Sequence, residues 1–382
     1  MMQAPLEGIK VVELARILAG PWIGQTLADL GADVIKVESP EGDDTRKWGP
    51  PYIDDGAEQS AAYYHGCNRG KRSIVCDFRE DAGRETVLKL IKNADIVIEN
   101  FKLGGLEKYG LDYESLKQIN PRLIYCSVTG FGQDGPYAAR AGYDFMIQGM
   151  SGIMDITGDP KGEPQKIGVA LVDIITGLYG VIGIQSALLH RQVTGLGQHI
   201  DMSLFDCMTG VLANQAMNFL ASGVAPKRLG NAHPNIAPYQ TLPVQDGYFI
   251  IACGNDGQFA KLAGLLGLAE LAEDEKFRTN AARVQNRDAL TALLEGKTSV
   301  WLRDDLLAAL EKLGVPAGPI NTIADVFSDP QFIARQMRVD NQGVPGLRTP
   351  LKFSNTELKT SLRSPRLGEH TEEILAELNS EK

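Results

Sequence analysis

The sequence predicts an α/β protein: a parallel sheet covered by helices on both faces, followed by a smaller α+β region. Three observations carry this expectation. Over the first 130 residues short β-branched runs alternate with helically spaced segments, the pattern of strands buried on both faces. A Pro-, Gly- and Asn-rich stretch at 223–240 then interrupts the alternation. A hairpin signal and three helical segments follow it.

The elements read in order as follows. IKVVELA (9–15) is a strand, and GPWIGQTLADLGA (20–32) a helix with Ile23, Leu27 and Leu30 on one face. DVIKVE (33–38) and RSIVCDF (72–78) are strands, REDAGRETVLKLIKNA (79–94) is a helix, and DIVIENF (95–101) and RLIYCSVTGFG (122–132) are further strands. Residues 198–222 add a strand, QHIDMSL, that runs into an apolar helix. TLPVQDGYFIIAC forms a hairpin turning at Gln245–Asp246–Gly247, and helices are expected at 257–268, 284–295 and 300–313. The last segment is extended, then helical, and returns to the first domain. The predicted domains are therefore 1–224, completed by about 326–382, and a small α+β domain at 225–325.

With 382 residues, 43% apolar and 23% charged, the chain can bury a sizeable core. A net charge of −10 argues against a general nucleic-acid partner. Five scattered cysteines and five scattered histidines contain no C-x-x-C pair and no zinc spacing. Free thiols and an N-terminus unlike a secretory signal lead us to expect a cytoplasmic protein without a resident metal. The run Ile167–Leu189 carries one charge, Asp173, and is long enough to span a bilayer. Its four glycines and its acid favour a buried helix of a soluble domain, and no membrane partner is expected.

Two motifs resemble nucleotide-binding signatures without satisfying them. GFGQDG (130–135) matches the dinucleotide fingerprint, but Pro136 and small polar residues follow where a helix must open. It is a weak NAD signal or a tight glycine turn. GCNRGKRS (66–73) is one residue short of a P-loop and has Arg72 at the hydroxyl position. The basic cluster Arg69, Lys71, Arg72 and Arg79 either forms a solvated face or meets an anion.

Asp173 stands where an apolar run becomes a helical pattern. As an N-cap it would accept the first backbone N–H groups. A desolvated carboxylate kept charged by a helix N-terminus would also be a nucleophile toward an activated carbonyl. Both readings remain open on the residues alone.

The chain resembles the class III CoA-transferases, the formyl-CoA transferase and carnitine CoA-transferase group that also contains α-methylacyl-CoA racemase. The matching pieces are LEGIKVVELARILAGP, LADLGADVIKVESPEGDDTR, NRGKRSIVCDF, ADIVIENF, INPRLIYCSVTGFGQDGP, GYDFMIQGMSG, VALVDIITGLYG, TGLGQHIDMSLFD, GNAHPNIAPYQ and LGEHTEEIL, in order along nearly the whole chain. The resemblance implies a Rossmann-like large domain and an interlocked homodimer. It places the family's catalytic aspartate on Asp173, with acyl-CoA and small carboxylic acids as substrates and no covalently bound cofactor. The family's CoA contacts fall on Cys76, Arg79, Asn100, Phe101, Lys108 and Tyr143, which raises the expectation that the basic segment meets an anion.

Departures from the family pattern narrow the activity. Tyr143 replaces the histidine base of the racemases, and Leu18 replaces the glutamine of the oxalate-specific transferases. GNAHPNIAPYQ is closer to members acting on short dicarboxylates or branched acids, and a dicarboxylate acceptor such as succinate or glutarate is expected. Arg16, Lys227, Arg228 and His233 are the candidates for a second carboxylate, with Leu18 and His233 at the substrate. The alternatives are a racemase or isomerase of the same fold, a CoA-binding protein without turnover, and an NAD oxidoreductase.

Overall fold

A computed structural model describes residues 3–380. The chain divides into two compact units, one comprising 1–153, 167–212 and 330–382, the other 154–166 and 213–329. The first unit is built on a six-stranded, all-parallel sheet: β1 Lys10–Glu13, β2 Asp33–Glu38, β3 Arg72–Val75, β4 Ile96–Glu99, β5 Ile124–Thr129 and β6 His199–Ser203. The strands lie in the order β3-β2-β1-β4-β5-β6. Strands therefore add outward from β1 on one side and then, after a crossover, from β4 on the other, the doubly wound arrangement.

Alternation along each strand distributes side chains between two cores. Val11, Val34, Ile96, Ile98, Ile124 and Cys126 face one; Val12, Ile35, Val97 and Tyr125 face the other. The first core is closed by α1 (Ala19–Asp29), α4 (Asp144–Met150), α5 (Leu171–Thr194) and α6 (Leu204–Gly210). The second is closed by α2 (Asp81–Lys92), α3 (Tyr113–Ile119) and α7 (Thr371–Ser380). The C-terminal segment thus returns to this unit. It also covers the outer edge of β3: His370 N–H donates to the Ser73 carbonyl at 2.9 Å, and Val75 N–H to Thr371 Oγ1 at 3.1 Å.

The apolar run around Asp173 is α5, and it is only partly the buried helix expected. One face (Val172, Thr176, Val181, Ile184, Leu188) is buried. The opposite face carries Leu178, Ile182, Leu189 and Val193, of which Val193 is 88% exposed. By length and composition the helix could cross a membrane, yet its inner face belongs to the core of the sheet.

Three members of the basic cluster form neither a solvated face nor an anion site. Arg69 pairs with Asp29 at 2.5 Å, Lys71 with Glu13 at 2.8 Å, and Arg72 with Asp33 at 2.6 Å, so three of the four charges are neutralised by acids from the first strands and helix. Lys36 joins Lys71 on the same Glu13 oxygen, at 3.1 Å, in a fully buried network. Arg79 alone is exposed, and it pairs with Asp77.

The second unit contains a three-stranded antiparallel sheet, β7 (Tyr239–Val244), β8 (Gly247–Ala252) and β9 (Ala317–Pro319), in the order β9-β8-β7. The hairpin turns at Gln245–Asp246, and Gly247 opens β8 with φ 142°. Helices at Asp256–Leu265, Arg287–Thr298 and Arg303–Leu313 pack on this sheet around Phe249, Phe259, Leu294 and Leu310. Residues 154–166 and 213–224, read from sequence as part of the large domain, cluster here instead. The polar links are local: Asn214 and Asn218 bond Asn235, and Arg228 bonds Asp155 and the Asp159 and Gly162 carbonyls.

Candidate active site

Ligands of a doubly wound sheet bind beyond the C-terminal ends of the strands, where the strand order reverses. Here that point lies between β1 and β4, and the segments leaving those strands are locked together. Arg16 N–H donates to Asn100 Oδ1 at 3.0 Å, and Asn100 Nδ2 donates back to the Arg16 carbonyl at 2.7 Å. Ile17, next in line, has φ 74°, a left-handed conformation that is costly for a β-branched residue. Asp43 accepts its N–H at 3.3 Å. The kink turns the chain into α1, whose first residue, Ala19, lines a cavity of about 260 Å³ with the three residues before it.

Leu18, Asn100, Phe101, Tyr143 and Asp173 all line this cavity, together with Arg16, Lys102 and Arg140. Six of the sequence-predicted candidates, Arg16 among them, are therefore brought together. Phe101 continues outward as an aromatic ledge: Phe78 packs edge-on against both Phe101, at 5.7 Å, and Tyr109, at 5.3 Å. Lys108 lies over the Tyr109 ring at 4.8 Å, and Arg79 follows Phe78 in the chain. Cys76 is buried, and its thiol donates to the Gly83 carbonyl at 3.0 Å, so its side chain serves the β3–α2 connection. His233 belongs to the second unit, where its ring packs against Tyr239 and accepts the Asn235 N–H. Arg228 is tied to Asp155 and is not a free cation.

Asp173 is not the N-cap. That position is Ala170, without a side-chain cap, and Asp173 is the third residue of α5. Its carboxyl is consequently unused by the helix and available to the cavity. It is 9% exposed, and burial, with the Asp144 charge second, raises its pKa from 3.8 to about 7. The expectation that the helix N-terminus holds it ionised is corrected by magnitude. A dipole contributes at most roughly 2 kcal/mol to a buried group, whereas a displacement of this size corresponds to roughly 4 kcal/mol.

Three neighbours of Asp173 escaped the sequence reading. Asp144, at the start of α4, accepts the Val172 N–H through Oδ1 at 2.8 Å. Gln148, one turn later, donates from Nε2 to Asp144 Oδ2 at 2.8 Å and accepts the Ile167 N–H at 2.9 Å. Tyr63 is pushed up to about 12 by burial and then by the Asp173 charge, so its phenol lies within the field of that carboxylate. The Asp–Gln spacing of four residues on GYDFMIQG is the one signal that could have found the first two. GFGQDG opens no helix: Gly132 and Gly135 take φ of 88° and 80°, and the next helix starts at Asp144. The dinucleotide reading has no structural basis.

The chain matches the family model described as CoA-transferase family III over residues 6–371. It is 57% identical over 384 residues to a succinate–glutarate CoA-transferase of Agrobacterium fabrum, covering 98% of this chain and 96% of that protein. It is 40% identical to a succinyl-CoA:glutarate CoA-transferase of Homo sapiens, covering 98% of this chain and 86% of the relative. The crystal structure of a CAIB/BAIF family protein from Brucella suis superimposes with a TM-score of 0.90 at 74% identity, over 98% of this chain and all of that one. On the sequence match, the fold and the cavity at the strand ends, this chain belongs to CoA-transferase family III.

Proposed function

We propose that the protein moves CoA between short dicarboxylic acids, with succinate and glutarate the leading pair, through covalent intermediates on Asp173. The observation that carries this reading is a nucleophilic carboxyl, nine-tenths buried and without a hydrogen bond among the described residues, on the wall of the cavity at the strand ends. Support for the substrates comes from the names of the Agrobacterium and human relatives. It also comes from Lys102 and Arg140 on the cavity wall, which supply positive charge for a distal carboxylate, whereas Arg16 on the same wall is paired with Asp44 at 3.1 Å.

In the proposed sequence a carboxylate oxygen of Asp173 attacks the acyl-CoA carbonyl carbon. The C–S bond breaks and CoA leaves as the thiolate, which gives a mixed anhydride. The thiolate then attacks the aspartyl carbonyl, releasing the donor acid as carboxylate and forming an aspartyl-CoA thioester. The acceptor carboxylate attacks that thioester and expels the thiolate again. Attack of the thiolate on the acceptor's carbonyl in the second anhydride releases the new acyl-CoA and restores the Asp173 carboxylate. Each step exchanges one anion for another, so no net proton is needed. Limited water around Asp173 protects both anhydrides.

We further read the large unit as Rossmann-like and the molecule as an interlocked homodimer, for which the exposed apolar stripe of α5 provides a contact face. Five buried free thiols support a cytoplasmic location. Incubation with succinyl-CoA followed by hydroxylamine should place a hydroxamate on the peptide containing Asp173, seen by mass spectrometry. An Asp173→Ala protein with undiminished transfer to glutarate would overturn the reading.

A further inference from the structure

We propose that Gln148 is a positioning residue for the Asp173 nucleophile, acting through Asp144 and the backbone that enters α5. The proposal rests on the reading of Asp173 as nucleophile. Gln148 is fully buried on α4, yet its side chain bonds no backbone group of its own helix. Its amide divides its two functions. Nε2 donates to Asp144 Oδ2 at 2.8 Å, and Oε1 accepts the Ile167 N–H at 2.9 Å. Asp144 uses its other oxygen, Oδ1, for the Val172 N–H at 2.8 Å.

Two side chains one helical turn apart, joined to each other, therefore grip the backbone at 167 and at 172. Residue 167 is where the chain re-enters the first unit, and residue 172 immediately precedes the nucleophile. Only an amide can serve: a carboxylate lacks the donor, and an aliphatic side chain lacks both groups. The arrangement has two effects. It fixes the entry of α5 and with it the position of Asp173. It also holds in place the carboxyl of Asp144, whose charge acts on Asp173 from α4. The other charged or titratable groups around Asp173 are Tyr63 and, along the cavity, Arg16, Lys102, Arg140 and Tyr143. None of these touches Gln148 through a hydrogen bond, so its replacement isolates the Asp144 route.

The test is single-turnover formation of the aspartyl-CoA thioester from succinyl-CoA across pH 5–9, in wild type, Gln148→Leu and Gln148→Glu. Gln148→Leu should slow the step by roughly tenfold to a hundredfold through misplacement, and move its acid limb down by about half a pH unit as the Asp144 carboxylate, released from Nε2, moves its charge away from Asp173. Gln148→Glu keeps the volume but sets a second carboxylate against Asp144, and should move the limb upward by a similar amount. Opposite displacements in the two variants support the proposal, because loss of stability alone shifts neither limb. Unchanged limbs and rates in either folded variant overturn it, and thermal melts identify a variant that does not fold. Should Gln148→Leu fail to fold, the isosteric Gln148→Glu alone decides. If wild type forms no adduct on Asp173, the nucleophile reading fails and takes the proposal with it.

Discussion

Trp22 of α1 lies across Gly177 of α5 so closely that a Cβ on the glycine would stand 2.9 Å from the indole Cδ1 and 3.2 Å from the Ala19 carbonyl oxygen. Gly177 is four residues beyond Asp173 and shares its face of the helix. The absent side chain lets the first turn of α5 settle against the start of α1, whose residues line the cavity.

Gly177→Ala should consequently destabilise the protein by about 1–3 kcal/mol despite the better helix propensity of alanine. It should also lower kcat, since the helix that carries Asp173 must shift. Gly168, around which a Cβ would meet nothing within 4 Å, is the control. Gly168→Ala should leave both melting temperature and kcat near wild type.

The pH dependence of catalysis follows from the raised Asp173 pKa. Only the carboxylate attacks, so the first half-reaction should rise with pH around an apparent value near 7. Stability runs the other way. The folded carboxyl binds its proton more tightly than an unfolded aspartate, so the cost of ionising it is absent below about pH 4 and complete above about pH 8. Asp173→Asn should be inactive yet melt higher than wild type at pH 8, by up to roughly 4 kcal/mol. That advantage should vanish toward pH 4.

Lysine and arginine of the basic segment should separate cleanly by assay. Lys71→Met leaves Glu13 in a fully buried network with one cation fewer, and should cost about 3–5 kcal/mol in urea unfolding. The folded fraction should bind CoA with wild-type affinity. Arg79→Ala removes an exposed pair with Asp77, worth little to stability. Its melting temperature should be unchanged, while the KM for acyl-CoA rises several-fold.

Glu99 closes β4 beneath the Asn100–Phe101 turn and accepts the Phe101 N–H at 2.8 Å. Burial raises its pKa from 4.5 to about 7, against the Ser127 and Phe101 hydrogen bonds. Its charge therefore opposes folding as pH rises through 7. Glu99→Gln keeps an acceptor for Phe101 and a donor for Ser127. Calorimetry should show it stabilised above pH 8, by up to roughly 3 kcal/mol, and indifferent near pH 4.

The strands were legible because each is short, β-branched and buried on two faces, so β2, for example, emerges with its observed ends at Asp33 and Glu38. Asp173 was legible because an isolated charge in an apolar run requires a reason. What the sequence concealed was pairing at a distance. The acids that neutralise Arg69, Lys71 and Arg72 lie 39 to 58 residues upstream, so the cluster looked free when it was already occupied. Asp144 and Gln148 bond backbone 28 and 19 residues away, and within α4 only their four-residue spacing marks them. The direction of the Asp173 shift was equally hidden, because it depends on how much of the side chain the fold buries.

The covered edge of β3 has a temporal side. Val75 finds Thr371 only across 296 residues of chain, which a ribosome adds in roughly 15 to 60 s. For that interval the newly made strand presents an unclaimed row of amides and carbonyls, a template for any other extended segment nearby. The last helix is thus a latch whose arrival ends the vulnerable period of biogenesis, and the yield of soluble protein in the cell is set by what guards that edge until then.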